Sequence, residues 1–162
     1  MPVSIREAGR QDLDRIDRIE AESFDADRFA RRNLSRMLAG GRTRFLLAEA
    51  AEGLGGYIAV SFRNGSHIAR IYSLAVAPGA RRQGVAEALL DAAGAFAAKR
   101  NCRALRLEVR ASNRPAVKLY EGRGFRLHDK RIAYYEDGET ALVLEASVEG
   151  FSRTVIPEQD TP

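Results

Sequence analysis

Arg81, Arg82, Gln83 and Gly84 stand together in "GARRQG", directly before the small and aliphatic run "VAEALL". A glycine at a strand-to-helix junction lets an anion approach the backbone closely, and two arginines add forked donors. The first turn of a helix also carries free N–H groups and the positive end of the helix dipole. The loop therefore reads as an anion cradle or as a plain basic turn. It is not the phosphate loop of nucleotide triphosphatases, because no Gly-Lys-Ser/Thr follows, and it lacks the spaced glycines of a dinucleotide fingerprint. Further along, Glu108 sits between Arg106 and Arg110 on one face of an alternating run, the pattern of a surface ion pair. Asn113 precedes Pro115 with the spacing of a helix cap. Tyr120 falls on the apolar face of the same short helix, where packing alone accounts for it. Cys102 has no histidine near it in the sequence, which disfavours a covalent thiol mechanism. His67 and His128 are isolated, and no metal-ligand spacing occurs.

These residues need elements to position them. "VSIREA" reads as an opening strand, and "GRQDLDRIDRIEAESF" then places Leu13, Ile16 and Ile19 at helical spacing. "DRFARRNLSRMLAG" gives a second helix that stops at Gly40 and Gly41. Its Arg28, Arg31, Arg32 and Arg36 form a solvated face or a surface for an acidic peptide. "TRFLLAEA", "GGYIAVSFRN" and "HIARIYSLAV" read as strands, and Asn64–Gly65 marks a hairpin, so these strands form an antiparallel meander. A helix from Val85 to Lys99 leads to the strand "ALRLEVR", which makes a β-α-β crossover and a parallel pair. "NRPAVKLYEG" is a short helix. "FRLHDKRIAYY" and "TALVLEAS" form a last pair of strands joined through "EDGE". The expected fold class is α/β of the α+β type: a mixed, mostly antiparallel sheet of about seven strands with four helices. Residues 1–147 make one domain, and 148–162 a loose tail.

Composition sets the outer bounds. A chain of 162 residues, 45% apolar and 30% charged, suits a single globular domain. No apolar run approaches the roughly 20 residues needed to span a bilayer, and no signal-peptide core opens the chain, so no membrane partner is expected. One cysteine fits a reducing cytoplasm. A formal charge of +4 permits an anionic partner, but without an aromatic-basic stacking motif direct nucleic-acid binding is not expected.

Two stretches together resemble a known family. Arg81-Arg82-Gln83-Gly84-Val85-Ala86 is similar to the Gln/Arg-x-x-Gly-x-Gly/Ala loop of the GCN5-related N-acetyltransferases. "LEVRASNRPAVKLYEGRGF" (107–125), followed by "YYEDGE", resembles the bacterial ribosomal-protein alanine N-acetyltransferase branch of that superfamily. The resemblance implies acetyl-CoA as cosubstrate, with its pyrophosphate on the amides of Arg82, Gln83, Gly84, Val85 and Ala86 and with Arg81 alongside. It implies that Leu74, Ala75 and Val76 pair with the pantetheine arm as an added strand, and that Asn113 contacts the same arm. Tyr120 matches the tyrosine that hands a proton to the departing thiolate. A phenol of pKa about 10 facing a thiol of about 8.5 is uphill by roughly 2 kcal/mol. Glu108 matches the carboxylate that removes the amine's proton, and its two flanking arginines would make it a poorer base. The family also places Tyr134 or Tyr135 at the peptide cleft, with Phe24 in the acceptor region. There the branch's aromatic-Pro-Trp segment is replaced by "SFDADRFARR". The function so implied is acetylation of a protein or peptide N-terminal α-amine by direct attack in a ternary complex, with no metal. The alternatives are a lysine or small-amine acceptor, or a silent acetyl-CoA-binding module.

Overall fold

Strand β1 (Ser4–Glu7) leads through a 3-10 turn into helices α1 (Leu13–Ser23) and α2 (Arg31–Gly40). The computed structural model describes residues 3–23, 29–50 and 53–151. Strands β2 (Thr43–Ala50), β3 (Gly53–Ser61) and β4 (Ile68–Val76) follow. Then come α3 (Val85–Lys99), β5 (Ala104–Arg110), α4 (Arg114–Gly122), β6 (Arg126–Arg131) and β7 (Ala141–Ser147). The sheet runs β1-β2-β3-β4-β5-β7-β6, with every neighbouring pair antiparallel except β4 and β5. This is the sheet that alternation, the Asn64–Gly65 turn and the crossover helix predict.

An apolar layer covers each face. On one, α1 and α2 bury Ile16, Ile19 and Leu34 against Phe45, Leu47 and Tyr57. On the other, α3 buries Leu89, Leu90 and Ala93 against Leu46, Ile58, Leu105 and Leu107. Each buried leucine, isoleucine or phenylalanine among them contributes about 2 kcal/mol by leaving water. The two layers together fix the strands that carry the site.

Val148–Phe151, expected in the loose tail, instead form a 3-10 turn with Val148 and Phe151 buried. Phe151 sits on α3 at Gly94, where an added Cβ would lie 2.2 Å from the Phe151 ring carbon Cγ. Gly94→Ala gains about 1 kcal/mol of helix propensity. It also forces Phe151 out of place, and overpacking of this kind costs about 1–3 kcal/mol. The expected result is a net loss of stability in urea denaturation. A variant more stable than the parent would show that Phe151 is not seated on α3.

The feature that makes a site lies in β4. Val60 pairs with Ile71 and Ala59 with Ser73, which leaves Tyr72 as the extra residue of a β-bulge. The bulge exchanges the faces of the strand. Ala69 and Ile71 pack in the α3 layer, whereas Ala75 packs with α1 and α2. A bulge also bends its strand. Accordingly, β4 pairs with β5 only over Ile68–Arg70 against Ala104–Arg106, and beyond that the strands part.

Candidate active site

Between the parted strands lies a cleft of about 470 Å³, lined by β4, β5, α4 and the loop between β6 and β7. Leu105, Leu107 and Val109 face the α3 layer, so the alternate residues of β5, Arg106, Glu108 and Arg110, face the other side of the sheet. Tyr120 belongs to the α3-side core, yet it lines the same cleft as Glu108. The cleft therefore passes between the strands, with a carboxylate on one face and a phenol on the other.

The Glu108 side chain is 13% exposed and accepts a short hydrogen bond from the Arg70 guanidinium on β4. Its neighbours on β5 are engaged elsewhere. Arg106 donates to Glu145 at 2.6 and 2.9 Å. Arg110 donates to Asp137 and to Glu139, each at 2.8 Å. The expectation that two flanking arginines bear on Glu108 is thereby corrected: its partner is Arg70, from the adjacent strand. Sequence spacing along β5 does not reveal that pairing.

Tyr120 is buried, with its ring edge-on to Phe125 at 5.7 Å between centroids. Burial pushes its phenol up to about 12, and nearby Tyr135 adds to the rise. No other described residue hydrogen-bonds its hydroxyl. Asn113 both lines the cleft and caps α4, its Oδ1 accepting the Ala116 N–H at 3.3 Å. The structural and functional readings of Asn113 are therefore compatible.

Leu74 lines the cleft, Ala75 is buried in the α1–α2 layer, and Val76 is half-buried against the α3 layer. Past Arg70 their strand edge has no β5 partner. Arg81, Arg82, Gln83 and Gly84 are exposed at the start of α3, outside the cleft lining. Gln83 Nε2 donates to the Gly79 carbonyl at 3.3 Å and closes the loop. Gly84 is the N-cap of α3 in the left-handed conformation (φ 77°), and no side chain caps the turn that follows. The first-turn amides of Val85 and Ala86 thus remain available, although the Val85 side chain is buried.

Tyr134 and Tyr135 both line the cleft, but not from a strand. β6 ends at Arg131, opposite Ala141, and Ala133 takes a left-handed φ of 53°. The chain then closes a tight turn in which the Gly138 N–H donates to the Tyr135 carbonyl at 2.8 Å. Residues 132–140 have no strand partner, so alternation there misleads. The two rings meet edge-to-face at 5.1 Å, and the Arg110 guanidinium lies 4.0 Å from the Tyr135 centroid. Phe24 lies outside the described residues.

Three contributors escape the sequence reading. Arg70 and Tyr72 line the cleft, with the guanidinium 4.6 Å from the ring centroid. Glu20, buried on α1, accepts hydrogen bonds from the Tyr57 hydroxyl, from the Ser73 hydroxyl at 3.1 Å and from the Phe29 N–H at 2.8 Å. Burial and the Glu20 charge raise the Tyr57 phenol well above its usual range. This network ties α1 to β3 and to the bulged strand, and it anchors Phe29, which lines the cleft and packs edge-on to Tyr72 at 6.5 Å. Its only sequence signal is a carboxylate one helical turn beyond Ile16, on the apolar stripe.

Cys102 is buried, and burial raises its thiol. Among the described residues no cluster of His, Cys, Asp and Glu could hold a metal, and no helix is long and apolar enough to cross a membrane.

The bulged fourth strand, the parted parallel pair and the open helix start are features of an acyl-CoA-dependent transferase. The Acetyltransferase (GNAT) family model matches residues 10–125, and the chain belongs to that family of N-acetyltransferases. Its relatives include a Streptomyces lavendulae streptothricin acetyltransferase, 35% identical over 107 residues, 63% of this chain and 57% of its own, as well as ribosomal-protein alanine N-acetyltransferases. A Bacillus subtilis protein, named provisionally as a [ribosomal protein bS18]-alanine N-acetyltransferase, is 30% identical over 146 residues, 90% of this chain and 95% of its own. The Escherichia coli K12 [ribosomal protein bS18]-alanine N-acetyltransferase is 42% identical over 79 residues, 47% of this chain and 53% of its own. The crystal structure of the Escherichia coli ribosomal-protein-S18-alanine N-acetyltransferase superposes with a TM-score of 0.81 at 26% identity, over 98% of this chain and 99% of that one.

Proposed function

We propose that the protein transfers the acetyl group of acetyl-CoA to the N-terminal α-amine of a protein or peptide, by direct attack in a ternary complex. One observation carries this reading: a cleft through the sheet brings the Glu108 carboxylate and the Tyr120 phenol to its two faces. Donor and acceptor then approach from opposite sides.

The residues present suit the donor. Uncapped amides at the start of α3 suit a pyrophosphate, because the helix end supplies N–H groups and positive potential. Arg81 and Arg82 add charge from the exposed loop. The edge of Leu74–Val76, left without a β5 partner, suits strand-like pairing with the amides of a pantetheine arm, and Asn113 borders the same space.

As the amine nitrogen attacks, the C–N bond forms and the C–S bond breaks. The amine's proton passes to Glu108, directly or through water, and the Tyr120 proton passes to the departing sulfur. Tyr134 and Tyr135 border the acceptor side. The arithmetic favours an α-amine. With a pKa of about 7.8 it is about 10–15% neutral at pH 7, so deprotonation costs roughly 1 kcal/mol. A lysine at about 10.4 costs nearly 5 kcal/mol and demands a stronger base.

The test is a screen that follows free CoA thiol with N-terminal peptides, with acetyl-capped lysine peptides and with small polyamines. Free N-termini are expected to turn over at least tenfold faster at pH 7. Faster reaction of lysine side chains or small amines would overturn the α-amine assignment, and no thiol release with any amine would overturn catalysis.

A further inference from the structure

A second groove, of about 530 Å³, runs on from the cleft across the sheet. The two share Arg70, Tyr72 and Glu108 in their linings. Its walls carry Arg42 and Arg63 from the ends of β2 and β3, Arg106 from β5 and Arg131 from β6. Five arginines therefore face a single carboxylate, Glu108. Two of the five are already neutralised: Arg70 pairs with Glu108, and Arg106 with Glu145. Arg42, Arg63 and Arg131 are exposed and make no ion pair with any described residue. The groove that opens into the active cleft thus carries three uncompensated positive charges.

We infer that this groove holds the acceptor chain downstream of its reacting amine, and that the preferred acceptor is an acidic N-terminal segment with carboxylates within about its first six residues. The inference rests on the α-amine reading above. Continuity points to the occupant, because the groove and the cleft share Arg70, Tyr72 and Glu108, so a chain that presents its amine beside Glu108 has a path over Arg70 and Tyr72 into the groove. Reach fixes the positions. Neighbouring strands lie about 4.8 Å apart and an extended chain advances about 3.3 Å per residue, so about five residues cross from β5 to β2. Charge complementarity fixes the chemistry: carboxylates there meet forked guanidinium donors, whereas lysines or arginines meet like charge.

The experiment uses three N-terminally free peptides that share their first two residues. They carry glutamates, glutamines or lysines at positions three to six. At low salt the glutamate peptide is expected to exceed the glutamine peptide about tenfold in kcat/KM, with the lysine peptide lower still, and added salt should compress the spread. The Arg42→Glu/Arg63→Glu/Arg131→Glu variant should reverse the order, with its acetyl-CoA-dependent rise in Tm as the folding check. Equal kcat/KM for the three peptides, or an order the variant leaves unchanged, would overturn the inference while the α-amine reading stood. Should none of the three peptides be acetylated, the α-amine reading itself fails. Fluorescence anisotropy of labelled peptides then decides the groove separately: tighter binding of the glutamate peptide supports it, and equal binding overturns it. Displacement of that peptide by a single-stranded oligonucleotide at lower concentration would also overturn it, by pointing to a nucleic acid instead.

Discussion

Tyr120→Phe is expected to lower kcat by about 10²–10³-fold, within the range that a positioned general acid contributes. The substitution removes one oxygen and little else. The ring keeps its edge-on contact with Phe125, and the hydroxyl has no hydrogen bond with a described residue to lose. Stability should therefore change little, and acetyl-CoA should still protect the variant. A ligand at a hundredfold excess over its Kd stabilises by about 2.7 kcal/mol, which a melting curve reads easily. The pH profile adds a second check. Burial raises the phenol to about 12, so the protonated, donating form persists as pH rises and is lost only as pH passes through that value. Wild-type kcat should thus show no falling limb from this group between pH 7 and 10. The same burial widens the gap to a thiol of about 8.5, from roughly 2 kcal/mol expected for an ordinary tyrosine to roughly 5. Transfer from Tyr120 as proposed would therefore require the developing thiolate to be held in the same cleft, where burial raises its own basicity. An unchanged kcat in Tyr120→Phe would remove the residue from the mechanism.

Periodicity and turn chemistry made most of this fold legible. "TRFLLAEA" and "ALRLEVR" coincide with β2 and β5, and the run from Val85 to Lys99 with α3. Each is a local pattern of one period, and burial of one face enforces it. What escaped is non-local. The bulge at Tyr72 has no glycine to announce it, yet it reverses the faces of β4 and parts it from β5. Without it, Ser73 and Ala75 would lie in the α3 layer with Ile71, and Glu20 would lose its Ser73 donor. Arg70 lies 38 positions from Glu108 in sequence, so their ion pair depends on the register of the parallel strands rather than on spacing. Tyr134 and Tyr135 misled in the opposite sense. Aromatic alternation suggested a strand, but a strand also needs a partner, and β7 begins too late to supply one. Phe151 falls in the expected tail because four residues after a strand carry no period, and its seat on Gly94 is a tertiary contact that no local pattern signals.

The second large effect is expected for Glu108→Gln: a fall of about 10²-fold in kcat/KM toward an N-terminal peptide at pH 7. Size alone does not identify a base, because Glu108 also pairs with Arg70. A glutamine oxygen can still accept from that guanidinium, so the pair is weakened rather than abolished, and the structural cost should be about 1 kcal/mol. The dependence on pH separates the two roles. An α-amine of pKa about 7.8 goes from about 14% neutral at pH 7 to more than about 90% at pH 9, so the amine able to attack without a base rises roughly sevenfold. If Glu108 takes the proton from the protonated amine, the deficit of the variant should narrow by about that factor across the same interval. If Glu108 serves only to hold Arg70, the deficit should stay constant, because an arginine keeps its charge throughout. Arg106 and Arg110 do not confound the comparison, since Glu145, Asp137 and Glu139 already engage them. A constant ratio of wild-type to variant kcat/KM from pH 7 to pH 9 would thus reduce Glu108 to an ion-pair partner. A ratio that narrows as the amine loses its proton would identify the carboxylate as the group that otherwise removes it.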